Sequence, residues 1–155
     1  MIQRIQSVYL FMTTLLSLLF LNGDILNFIN KAGGTIKVTF KGIEEGTASH
    51  GFSMVETLLP LSIVLIIIPL LSLIAIFLFR QRKIQIRLSG ILIGLICFLI
   101  IACVHSSYLI ITKHSGMIVP GIKMAIPVVM LIFAILAYRG IKKDEELVKS
   151  YDRLR

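Results

Sequence analysis

The chain is poor in the residues that chemistry usually requires. It has two cysteines and eight carboxylates in 155 residues, and Asp, Glu, Lys and Arg together make up 15% of it. Cys97 and Cys103 fall in one apolar run. On a single helix they stand about 9 Å apart along the axis and point in different directions, so they cannot bond to each other. Neither has a second Cys or a His at metal-ligand spacing, and both read as buried apolar filler, with no metal or cofactor expected. No catalytic motif is found, which points away from an enzyme. No internal repeat is found either, which leaves an inverted-repeat transporter without support.

What the chain does have is hydrocarbon. A hydrophobic share of 57% and a mean hydropathy of +0.94 are too apolar for an ordinary water-soluble domain of this length. The charges lie in clusters between long runs free of Asp, Glu, Lys and Arg, and those clusters mark membrane faces. The net charge of +8 suits anionic lipid headgroups better than nucleic acid, because the cations flank apolar runs instead of forming a stripe with aromatic residues between them.

The expected fold is an all-α membrane protein with four transmembrane helices, at about residues 5–21, 58–79, 88–111 and 117–138. An outer loop at 22–56 and a cytoplasmic helical tail at 139–155 complete a single domain. The first run competes with a cleaved signal peptide, but Leu19-Phe20-Leu21-Asn22-Gly23 lacks the small-x-small pattern. In the outer loop, Ile36, Val38 and Phe40 alternate with polar residues as a half-buried strand does. Such a strand needs a partner, and residues 26–30 or the chain after Gly46 are the candidates. Pro60 and Pro69 interrupt the second run, and a kink is expected at Pro69. Pro120, Lys123 and Pro127 interrupt the fourth, with Lys123 near its outer end, where it snorkels to the headgroups. In the tail, Ile141, Leu147, Tyr151 and Leu154 form one apolar side.

Orientation follows from the cations. Arg4, the cluster from Arg80 to Arg87 and the segment from Arg139 to Arg155 carry eleven of the sixteen Lys and Arg residues. The positive-inside rule therefore places both chain ends on the cytoplasmic face of the membrane.

Few positions invite a functional reading. An ionisable residue deep in a span usually marks an ion or proton path, and the centres of all four runs have none. Glu56, His105 and Lys123, with His114 nearby, form a small candidate polar cluster at the outer face; helix-end polarity is the plainer account. Gly90 and Gly94 have the G-x-x-x-G spacing that admits a neighbouring helix, expected within the same chain. The tail pair Glu145 and Lys149 is an i, i+4 pair worth only about 0.3 to 0.5 kcal/mol when exposed.

Three segments carry a resemblance. The opening Met1-Ile2-Gln3-Arg4-Ile5-Gln6, the middle Arg82-Lys83-Ile84-Gln85-Ile86-Arg87-Leu88, and the closing Ser150-Tyr151-Asp152-Arg153-Leu154-Arg155, preceded by Lys142-Lys143-Asp144-Glu145, resemble a family of uncharacterised four-helix inner-membrane proteins of Bacteroidota. The resemblance implies architecture and no activity. All three segments fall on the expected cytoplasmic face. Arg4, Arg82, Lys83, Arg87, Asp144, Glu145, Asp152, Arg153 and Arg155 are accordingly expected to form one inner-face patch, paired among themselves or with a partner.

The leading expectation is a non-enzymatic accessory or scaffold subunit that binds the lipid bilayer and other inner-membrane proteins, and no nucleic acid. A small transporter or channel is the alternative, needing a polar path that these helices scarcely offer. A lipid-modifying enzyme of the outer face comes third, resting on His105 beside Ser106 and Ser107.

Overall fold

The computed structural model describes residues 3–29, 35–39, 42–47, 50–56, 59–79, 81–114, 117–119 and 121–153. Four helices dominate: α1 (Gln3–Leu21), α2 (Leu59–Phe77), α3 (Arg82–His114) and α4 (Ile126–Arg153). They form a ring in which α1 packs on α2 and α4, and α3 packs on the same two. Three stretches are long and apolar enough to cross a membrane: Pro60–Phe77 in α2, Arg82–Thr112 in α3, and Lys123–Val148, which runs from the turn before α4 into that helix. The apolar stretch of α1, Ile5–Leu21, is shorter.

Each helix buries a seam spaced alternately by three and four residues. In α1 it is Gln6, Leu10, Thr13, Ser17 and Phe20; in α2, Leu61, Leu65, Ile68, Ser72 and Ala75. In α3 it runs Gln85, Ser89, Leu92, Ile96 and Leu99, and in α4 Met130, Ala134, Ala137, Ile141 and Asp144. This 3.5-residue repeat keeps one face of each helix toward its neighbours along the whole length, as in left-handed helical bundles. The outward faces are apolar too: Phe11, Ile63, Leu70, Phe77 and Ile101 are all more than half exposed. A water-soluble protein does not leave so much contiguous apolar surface uncovered.

Where α1 and α3 end and α2 and α4 begin, the connections build a five-stranded antiparallel sheet. Its strands are β1 (Leu26–Ile29), β2 (Thr35–Val38), β3 (Ile43–Thr47), β4 (His50–Glu56) and β5 (Met117–Val119), in the order β4-β3-β2-β1-β5. The strand read from the alternation of Ile36 and Val38 is β2; both residues are buried, and Phe28 of β1 faces Ile36 in register on the same side. Its partners are β1 on one edge and β3 on the other. Phe40 lies outside the described residues. Phe28, Ile36 and Val38 belong to the same buried cluster as the helix seams, so sheet and bundle share one core.

Several expected boundaries shift. The fourth helix does not begin at residue 117: Met117–Val119 is β5, paired with β1, and a 3-10 turn at Ile122–Ala125 leads into α4. Pro127 then sits in the first turn of α4, where its missing N–H costs no hydrogen bond. The helix runs on without interruption to Arg153, so the tail is its continuation. Likewise α3 starts at Arg82 and takes in the basic cluster; its 33 residues extend about 50 Å, well beyond a hydrocarbon core. The helix α2 continues through Pro69. On the tail, Ile141 is buried whereas Leu147 is exposed, so the expected apolar side divides there; the side chains of Tyr151 and Leu154 lie outside the described set.

Candidate functional site: a polar clasp at one end of the bundle

At the end opposite the sheet, seam positions of three helices are polar. Gln6 of α1 and Asp144 of α4, both less than a tenth exposed, meet across the bundle: the Gln6 amide Nε2 donates to Asp144 Oδ2 at 2.7 Å. A carboxylate acceptor makes this one of the stronger hydrogen bonds available to an amide. The approach is close because Gly140 lies one turn before Asp144. A Cβ on Gly140 would come within 2.9 Å of Gln6 Cγ. From α3, Arg82 Nη1 donates to the backbone carbonyl of Asp144 at 3.3 Å.

Gln85, one turn after Arg82, fastens the fourth helix. Its Nε2 donates at 3.0 Å to the carbonyl of Ala75, in the last turn of α2. Carbonyls there have no intrahelical partner, so the buried glutamine caps α2. Ser89 Oγ in turn donates to the Gln85 carbonyl at 2.8 Å. The polar cleft lined by Gln6, Arg82, Gln85 and Asp144 holds about 10 Å³, at the lower limit for a single water. The site can fasten helices; it has no room for a substrate.

Of the nine residues assigned to an inner-face patch, the structure brings Arg82 and Asp144 together. Lys83 and Arg87 are exposed on α3, and Glu145 is half-buried on α4. The side chains of Arg4, Asp152 and Arg153, and Arg155 as a whole, lie outside the described residues. Gln6 and Gln85 are the members that charge-based reasoning missed. They were visible in the repeat itself, since each occupies a position where the seam otherwise holds mostly apolar residues or a small hydroxyl residue.

A second polar contact sits deeper. Thr14 Oγ1 donates to Ser72 Oγ at 3.0 Å, and Ser72 Oγ donates to the Leu10 carbonyl at 2.9 Å, tying α1 to α2. Among the described residues no buried side-chain N or O lacks a hydrogen-bond partner.

Of the outer-face cluster, the side chains of His105 and Lys123 are described. Lys123 donates to the carbonyl of Asn22, just past the end of α1, at 2.6 Å, satisfying a helix-terminal acceptor with a cation. Gly23 beside it has φ +83°, a conformation that favours glycine. His105 is exposed. The hydroxyls of Ser106 and Ser107 are given to the carbonyls of Ala102 and Cys103 in their own helix, at 2.9 and 2.8 Å. The side chains of Glu56 and His114 lie outside the described set. Among the described residues no group of three or more His, Cys, Asp or Glu side chains is placed to hold a metal.

The expectation that Gly90 and Gly94 pack against a neighbour within the chain is corrected. Both are exposed, and a Cβ on either would meet nothing within 4 Å. The buried face of α3 runs through Ser89 and Leu92 instead, which turns the glycines outward.

No curated protein and no solved structure matches the chain. Residues 2–154, a span that includes α1, the sheet, the clasp and almost all of the tail, match one family, and the chain therefore belongs to the family described as Domain of unknown function (DUF4293).

Proposed function

We propose that the chain is a non-enzymatic, four-span protein of the bacterial inner membrane, of the Bacteroidota type, that serves as an accessory or scaffold subunit of a larger membrane assembly. Both chain ends then lie in the cytoplasm, and the sheet lies outside. The first helix, whose apolar stretch Ile5–Leu21 extends about 26 Å, is near the short limit for a span. Its packing along α2 and α4 supports its crossing beside them.

The observation that carries this reading is the division of labour at the clasp end. Asp144 and Arg82 are turned to holding the bundle together, while Lys83, Arg87, Arg139, Lys142 and Lys143 are exposed around it. A basic rim on a hydrogen-bonded end with little free space suits anionic headgroups and the acidic groups of a neighbouring subunit. The small cleft gives no support to catalysis at this end.

Native purification in mild detergent followed by mass spectrometry tests the proposal. Wild-type protein is expected to bring down stable membrane partners, and Lys142→Glu with Lys143→Glu to lose them while remaining folded. An unchanged partner list in the charge-reversed protein refutes the docking role. Solute flux in proteoliposomes of the chain alone would replace the subunit reading with a transporter.

A further inference from the structure

At the sheet end, a cavity of about 190 Å³ opens sideways between α3 and the start of α4. Its back is made by Phe20 and Ile25, 1% and 3% exposed, and its mouth by Val104, Met124 and Val128, 65%, 46% and 51% exposed. The wall between them includes Cys103 and Ser107, and the Ser107 hydroxyl is already given to the Cys103 carbonyl. An apolar cavity of roughly 150 Å³ stays dry and takes an apolar guest. The mouth faces the same side as the exposed apolar residues of α3, so a guest enters from the bilayer and not from water. On α3 the lining extends from Ile100 to Ser107, a depth of about 10 Å along the helix.

Beside the lining, next to Met124 in sequence, stands a cation. Lys123 immediately precedes Met124, and its ammonium donates to the Asn22 carbonyl; an ammonium has three N–H donors, so others remain for an anion. An apolar slot running along the bundle with a cation at its polar end is complementary to a lipid with an anionic headgroup. We propose that this lateral cavity takes the headgroup-proximal part of one acyl chain of a phosphate-bearing lipid, with the phosphate at Lys123. The proposal rests on the membrane-spanning reading above.

The test uses the full chain in phosphatidylglycerol-containing vesicles in which some phosphatidylglycerol carries a diazirine midway along one acyl chain. Parallel vesicles carry the same chain on diacylglycerol. Alkaline extraction precedes photolysis and adduct mapping by mass spectrometry. Adducts on Cys103, Val104, Met124 and Val128 are expected to exceed those on the outward Phe98 and Ile101 about tenfold, the ratio that ~1.4 kcal/mol of preferential occupancy gives. Val104→Phe, at an exposed position where folding is insensitive, is expected to abolish the excess, and Val128→Phe to do the same from the other side of the mouth. Lys123→Gln is expected to lower labelling by phosphatidylglycerol to the diacylglycerol level. Uniform labelling of a protein that stays in the vesicles after extraction overturns the cavity proposal and leaves the spanning reading intact. Equal labelling by the two lipids also overturns it. Protein stripped by extraction overturns both readings.

Discussion

The Gln6–Asp144 bond makes a prediction with an unusual sign pattern. In Asp144→Leu the Gln6 amide stays buried with its acceptor gone, and leaving such a group unsatisfied costs about 1 to 3 kcal/mol. In Gln6→Leu the stranded group is the Asp144 carboxyl, and the cost is at least as large, because a carboxylate is harder to bury than an amide. Arg82 offers no direct rescue: its guanidinium is bonded to the backbone carbonyl of Asp144, not to the carboxylate. Replacing both partners with apolar residues of similar size strands nothing, and such double replacements are nearly neutral. The double variant Gln6→Leu with Asp144→Leu is therefore expected to be more stable than either single variant. The coupling in the thermodynamic cycle should fall within about 0.5 to 3 kcal/mol, the range for residues in direct contact. Reversible unfolding in mixed micelles, followed by helical circular dichroism, measures all four corners. If the two single losses simply add in the double variant, the side chains do not meet and the clasp is wrong.

Three further outcomes follow from the same geometry. Gly140→Val places a branched side chain where a Cβ alone would come within 2.9 Å of Gln6 Cγ; it is expected to destabilise by about 1 to 3 kcal/mol, with most of the loss recovered in a Gln6→Ala background in the same unfolding assay. Ser72→Ala removes both links between α1 and α2 at that level and should cost about 0.6 kcal/mol, the mean for interhelical polar contacts in membranes, and no more than about 1.7 kcal/mol; a loss outside error of zero is required. Gly90→Ala and Gly94→Ala meet no neighbour and are expected to stabilise the chain by up to about 1 kcal/mol each through helix propensity; destabilisation in dilute micelles would show that something packs on this face.

Most of the helical architecture was legible because hydrocarbon content and cation clusters are long-range signals that survive any detail of packing. The existence of four helices follows from those signals, and the strand at Ile36 and Val38 from the local alternation of apolar and polar residues. Boundaries were less legible. The basic cluster before Leu88 looked like a connector because it is charged, yet charge at a headgroup level is compatible with helix, and α3 continues through it. Residues Met117–Val119 looked like the start of a span because they are apolar, and only pairing with β1 from 90 residues earlier makes them a strand. The clasp was half legible. Reading charges found Arg82 and Asp144 but scattered them among exposed cations. Reading the seam would have separated them, because Asp144 follows Met130, Ala134, Ala137 and Ile141 in strict register. Gln6 carries no charge and so escaped notice, although it begins the seam of α1.

The placement of polar groups along the bundle has a mechanical consequence. At the clasp end, Gln6, Arg82, Gln85 and Asp144 bind four helices to one another through directional bonds, and the space among them is too small for more than a water. At the sheet end, the serines of α3 spend their hydroxyls on their own backbone, and the gap between α3 and α4 is bounded by side chains held only by dispersion and the exclusion of polar groups. Directional bonds fix helix register, whereas apolar contacts tolerate sliding and repacking. Any adjustment of α3 against α4 is therefore expected to pivot at the clasp and to be felt at Val104 and Val128. Amide hydrogen exchange provides the measurement: backbone amides around Gln85 and Asp144 should be protected longer than those around Val104, after both are compared with lipid-shielded positions at the same depth. Equal protection at the two ends would mean that the polar bonds add nothing to rigidity and that the seam alone sets the stiffness of the bundle.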